Sequence, residues 1–112
     1  MISRKLVAAS SIPIVLSVLS QGESYGYAII QRVRALSSGR IEWTEGMLYP
    51  VLHRLAEDGL IEAEWRQAET GRKRKYYRIA ERGREVLSKE REEWQAVHST
   101  LDLLWGAEPC SA

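Results

Sequence analysis

Two groups of side chains in this sequence have types and spacing that suit binding chemistry. Arg72, Lys73, Arg74, Lys75 and Arg78 fall within seven consecutive positions of TGRKRKYYRI, residues 70–79, in a chain whose formal net charge is only +1. Cationic groups at that density suit a polyanion, because each one placed on a phosphate of duplex DNA releases condensed counterions. Upstream, TEGMLYPVLHRLAEDG, residues 44–59, carries Thr44, Tyr49, His53 and Arg54. Their hydroxyl, imidazole and guanidinium groups hydrogen-bond to base edges or phosphates. A charge run alone is as readily a solvated turn kept polar for solubility, and a tyrosine as readily packs on its own helix. The elements that carry these residues decide between the two readings.

Hydrophobic periodicity gives those elements. Ile12, Val15, Leu16 and Leu19 share one helical face, and Pro13 suits a first turn, so a helix is expected from near Ile12 to Ser20 or Gln21. Ser24 can cap a second helix, Tyr25 to about Leu36, that buries Ile29, Ile30, Val33 and Leu36. Thr44 caps a third, with Leu48, Leu52 and Leu55 inward and Gly59 as its left-handed stop. Pro50 inside that helix removes a backbone bond, and the small Gly46 one turn earlier eases the crowding. Ile61, Ala63 and Trp65 then alternate with Glu62, Glu64 and Arg66, the period of a strand with one buried face. After a turn at 68–72, Lys75 to Ile79 form a return strand with Tyr77 inward, so the cationic run is the tip and return strand of a hairpin. A long helix runs from near Ala80 to Trp105, on which Leu87, Trp94 and Leu101 repeat by seven, interleaved with Val97 and Leu104 and interrupted by Glu90. Such a stripe needs a partner surface, and a second copy of a chain this short is a reasonable one.

Three helices followed by a two-stranded hairpin is the order of a winged helix-turn-helix, in which the third helix enters the DNA major groove and the hairpin rests along the backbone. The expected class is therefore mainly α: residues 1–79 form the winged helix, 80–105 a dimerisation helix, and 106–112 a frayed tail. Charge is segregated to match, at about +3 over residues 60–80 against about −3 over 81–112.

Other functions fit poorly. The sequence has no Gly-rich phosphate loop and no Ser, His and Asp set in a plausible arrangement, so an enzyme is not expected. Its two histidines, His53 and His98, and its one cysteine, Cys110, form no cluster at metal-ligand spacing, so neither metal nor cofactor is expected. The N-terminal run resembles a secretion signal, but Leu6 to Leu19 is too short to span a bilayer and is broken by serines and Pro13. A cytoplasmic protein with no membrane partner is the simpler expectation. The competing reading from another class is a winged-helix module acting as a protein-interaction adaptor, without ligand sensing.

Three stretches in order, ESYGYAIIQRV, EGMLYPVLHRLAEDGLIEAEW and GRKRKYYRIAERGREVL, resemble the PadR-like winged-helix transcriptional regulators over nearly the whole chain. Members commonly carry the tyrosine-proline pair seen here as Tyr49 and Pro50. The resemblance implies a homodimeric, usually repressing protein on a pseudo-palindromic operator, and the compact length looks like the subgroup with a single C-terminal dimerisation helix. In multidrug-sensing members of that subgroup, a tryptophan at the place of Trp94 stacks planar aromatic ligands between subunits. The resemblance would add Val97, His98, Ile12 and Pro13 to that ligand site, with Leu87, Trp94, Val97, Leu101 and Leu104 at the dimer interface. At His98 the sequence departs from the acidic residue that would attract cationic drugs.

Overall fold

The structure, a computed structural model, describes residues 2–106. In chain order it comprises α1 (Arg4–Ser20), β1 (Ser24–Tyr25), α2 (Gly26–Leu36), α3 (Glu45–Glu57), β2 (Ile61–Gln67), β3 (Lys73–Ile79) and α4 (Glu81–Trp105). Three strands pair antiparallel in the order β1-β3-β2, with Ile61 opposite Ile79 at the base of the β2–β3 hairpin and Gln67 opposite Lys73 near its tip. This is a winged helix-turn-helix with a long C-terminal helix.

The core forms where the helices meet the sheet base. Val15, Leu16 and Leu19 of α1, Ile29 and Val33 of α2, and Leu48, Leu52 and Leu55 of α3 close on Ile61, Tyr77, Ile79 and Leu87. Each fully buried leucine contributes about 1.5–3 kcal/mol, and Leu52→Ala, at 0% exposure, would leave a cavity at its centre. The first turn of α4 is clamped to this base. The amide of Ala80 donates to the Leu60 carbonyl at 2.9 Å, and a Cβ on Gly83 would fall 2.1 Å from the same oxygen. Only glycine lets the helix approach so closely.

Several expectations are corrected. The first helix starts at Arg4, not near Ile12, because Ser3 accepts from the Leu6 amide as its N-cap, and Pro13 therefore sits in the helix interior. Pro13 costs the Ala9 carbonyl its partner, but Ala9 lies on the exposed side where water can serve. Ser24 is not a cap: Ser24 and Tyr25 form β1, paired with Tyr77 and Tyr76, and α2 begins at Gly26. Leu36 is 70% exposed because it lies in the last turn of α2, beyond the reach of α3. Ala63 and Trp65 are exposed too, since the hairpin extends past the helices and leaves only Ile61 of that strand buried. Trp43, assigned no role by its spacing, is buried just before α3. The 106–112 tail expectation, Cys110 included, lies outside the described residues apart from Gly106, the C-cap of α4.

Candidate nucleic-acid interface

α3 is held by its inward leucines, which leave its other faces open. Thr44 caps it, its Oγ1 accepting from the Met47 amide at 3.3 Å, so the hydroxyl retains a proton to donate elsewhere. Tyr49, His53 and Arg54 are all exposed, as are Glu45 and Met47, which the sequence reading did not single out. His53 is engaged within the helix, with Nε2 at 3.3 Å from Glu57. Tyr49 is braced against the start of α2: a Cβ on Gly26 would come within 2.6 Å of its hydroxyl. Gly26 thus sets how closely the third helix approaches the second.

The hairpin tip is ordered by its backbone. Ala68 donates to the Arg72 carbonyl at 2.7 Å, Gly71 donates to Ala68 at 2.9 Å, and Gly71 adopts φ +87°, a conformation that favours glycine. Strand alternation then sorts the side chains onto two faces. Lys73, Lys75 and Trp65 share the face of Tyr77, with the Lys75 ammonium 5.7 Å from the Trp65 ring centroid. Arg74, Tyr76 and Arg78 take the other face, where the Arg74 guanidinium stacks 4.1 Å from the centre of the Tyr25 ring and Tyr25 meets Tyr76 edge-on at 5.4 Å.

Two other cations of that outer face, Arg66 beside Arg74 and Arg78 farther from the tip, are paired. Arg78 Nε lies 2.9 Å from Glu62 and its Nη1 3.4 Å from Glu64, while Arg66 bridges Glu64 and Glu23. The hydrogen bond from Arg66 holds the Glu23 carboxyl below the usual carboxylate range, and Glu23 in turn raises the guanidinium. Burial pushes the Tyr77 phenol up, with a smaller contribution from Tyr49 nearby. Arg78, part of the cationic run in sequence, therefore belongs to a structural ladder.

Between the tip and α3 lies a cleft of about 750 Å³ lined by Arg72, Lys73, Arg74, Lys75 and Tyr49. Thr44, His53 and Arg54 do not line it; they extend the exposed surface along α3. A cationic finger beside an exposed helix can hold phosphates while the helix meets base edges.

The profile of the transcriptional regulator PadR-like family matches residues 15–89. The chain belongs to the PadR-like family of transcriptional regulators. It is 36% identical to an uncharacterized protein of Lysinibacillus sphaericus over 80% of this chain and 83% of that one. It is 30% identical to the transcriptional regulator YqjI of Escherichia coli over 79% of this chain, although the match spans only 41% of that relative. Among solved structures, a transcriptional regulator from Clostridium thermocellum superposes with a TM-score of 0.84 at 29% identity, over 95% of this chain and all of the other. The PadR-like regulator BC4206 of Bacillus cereus gives 0.78 at 31% identity, over 91% and 98%. PadR-like proteins are transcriptional regulators that bind DNA, not enzymes.

In this PadR-like chain a second concavity, of about 510 Å³, runs between α1, the end of α2 and α4. Pro13 and Trp94 line it together with Ile14, Val18, Leu36 and Ile41. Ile12 packs towards the core instead, and Val97 and His98 stay outside, the latter with Nε2 at 3.2 Å from Asp102. Along α4, Leu87 is buried within the chain, but Trp94, Val97 and Leu104 are exposed and Leu101 only partly covered. Leu103 and Trp105 add to the exposed apolar surface. Among the described residues no helix is long and apolar enough to cross a membrane.

Proposed function

We propose that this protein is a cytoplasmic, homodimeric transcriptional repressor that binds a pseudo-palindromic operator and is released by a planar aromatic ligand. In this reading residues 1–79 are the DNA-binding unit and 80–105 the dimerisation helix. α3 enters the major groove, where Thr44, Tyr49, His53 and Arg54 meet bases or phosphates. Arg72, Lys73, Arg74 and Lys75 hold the backbone. The observation that carries the reading is the cleft, which gathers the cationic tip and the exposed flank of α3 around one space.

Pairing of two copies rests on the stripe of Leu87, Trp94, Val97, Leu101 and Leu104, which continues from the buried first turns of α4 into an exposed second half. An apolar stripe of that length on a protruding helix favours burial against a partner. Two such chains would set the α3 helices about one DNA turn apart. The mostly apolar concavity beside Trp94 supports the ligand reading, with Pro13 as the α1 residue that shares it. A ligand there lowers DNA affinity only if it binds the non-operator spacing more tightly.

Selection of genomic fragments by the purified protein, followed by footprinting, tests this directly. A protected two-fold-related site is the expected result. A protein-interaction adaptor would instead show no salt-dependent duplex binding. Leu101→Glu with Leu104→Glu should give monomers by sedimentation and lose operator binding, and quenching by planar aromatics should be lost in Trp94→Ala.

A further inference from the structure

The cleft wall formed by the hairpin carries a large residue that neither paired cations nor core packing explain. Trp65 is 63% exposed although it shares a sheet face with the buried Ile61 and Tyr77. Its position accounts for the exposure: at Ile61 the face lies over the core, and by Trp65 the hairpin has passed the helices, so the same face opens into the cleft. An indole held there forgoes most of the apolar burial that its size offers. Across the cleft stand Tyr49, on α3, and Tyr27, which is 60% exposed at the start of α2. On the same wall Lys75 stands opposite the indole on β3, with Lys73 one step nearer the tip, and Glu45 is the one carboxylate in the lining.

A helix in the major groove and a hairpin beyond it must straddle the sugar–phosphate strand that separates the two grooves. That strand alternates anionic phosphates with apolar deoxyribose faces, and the hairpin wall sets the two ammonium groups of Lys73 and Lys75 on β3 beside an indole on β2. We infer that the cleft takes one backbone strand of duplex DNA, with Trp65 packed on a deoxyribose whose flanking phosphates are held by Lys73 and Lys75. The inference rests on the DNA-binding reading above and adds to it a residue that acts without charge. Trp65 strengthens binding to all sequences alike, because every nucleotide presents the same sugar.

The test compares the full-length protein with its Trp65→Ala, Trp65→Phe and Lys73→Ala variants, binding a random-sequence duplex by fluorescence anisotropy across a range of salt. Trp65→Ala should bind roughly five- to tenfold more weakly at every salt concentration, giving a line parallel to the parent's, and Trp65→Phe should recover most of the loss. Lys73→Ala, lost once from each subunit, should flatten its line by about two units of slope. Duplex should also quench the parent's tryptophan fluorescence more than that of Trp65→Phe, a readout that does not depend on the alanine variant folding. Affinity unchanged in Trp65→Ala, a line flattened as in Lys73→Ala, or equal quenching in parent and Trp65→Phe would overturn the inference while leaving the DNA-binding reading intact. A parent protein that binds no duplex would instead overturn that reading.

Discussion

Two sets of cations on the β2–β3 hairpin, Arg66 and Arg78 against Arg72 to Lys75, use the same residue types to opposite ends. On the outer face Arg66 and Arg78 are matched to Glu23, Glu62 and Glu64, so their charge is already partnered. Arg72 in the turn and Lys73 and Lys75 on the face of Tyr77 form no ion pair among the described residues, and Arg74 meets a tyrosine face rather than a carboxylate. A paired cation must give up its partner before it can hold a phosphate, whereas an unpaired one exchanges only water and counterions. Pairing therefore separates Arg78, the structural member of the basic run, from the four cations suited to a polyanion, which a count of charges does not.

Breaking the base should have the largest effect. Gly83→Ala drives a Cβ against the Leu60 carbonyl and the Ile79 side chain, neither of which can move without shifting the sheet. Denaturant unfolding should show a loss of about 3 kcal/mol or more. Next comes the tip: Lys73→Ala with Lys75→Ala removes four cations from a dimer and should weaken duplex binding roughly 100-fold near physiological salt and flatten the salt slope by about three to four units. Its thermal midpoint should stay that of the parent. Tyr25→Leu removes the face on which Arg74 rests and should cost about 0.5–1 kcal/mol, read by denaturant unfolding, with duplex binding weakened less than in the lysine pair.

The smallest effect is on the dependence of stability on acid. Because Arg66 lowers the Glu23 carboxyl in the folded chain, its contribution is present above the ordinary carboxylate range and is lost as pH falls through the lowered value. Glu23→Gln should remove that component, so its thermal midpoint should fall less than the parent's between neutral and acid pH.

Much of this comparison was legible in the sequence. Leucines at helical spacing, the Thr44 cap, the Gly59 stop and the change of period after it define α3 and the hairpin through local rules, and the structure follows them. What the sequence hid was tertiary. Trp65 alternates with charged residues as a buried strand position would, and only the length of hairpin beyond the helices exposes it. Arg78 reads as part of the cationic run until its cross-strand neighbours Glu62 and Glu64 are known. The two residues of β1 are too few for a periodic signal, and Pro13 pointed to a helix start because the Ser3 cap lies ten residues upstream.

The salt dependence of duplex binding by the intact protein tests the central claim most directly. Two subunits, each offering Arg72, Lys73, Arg74 and Lys75 to phosphates, predict a slope of log affinity against log salt between roughly −5 and −7. A slope near zero at concentrations where the protein sediments as a dimer would contradict it.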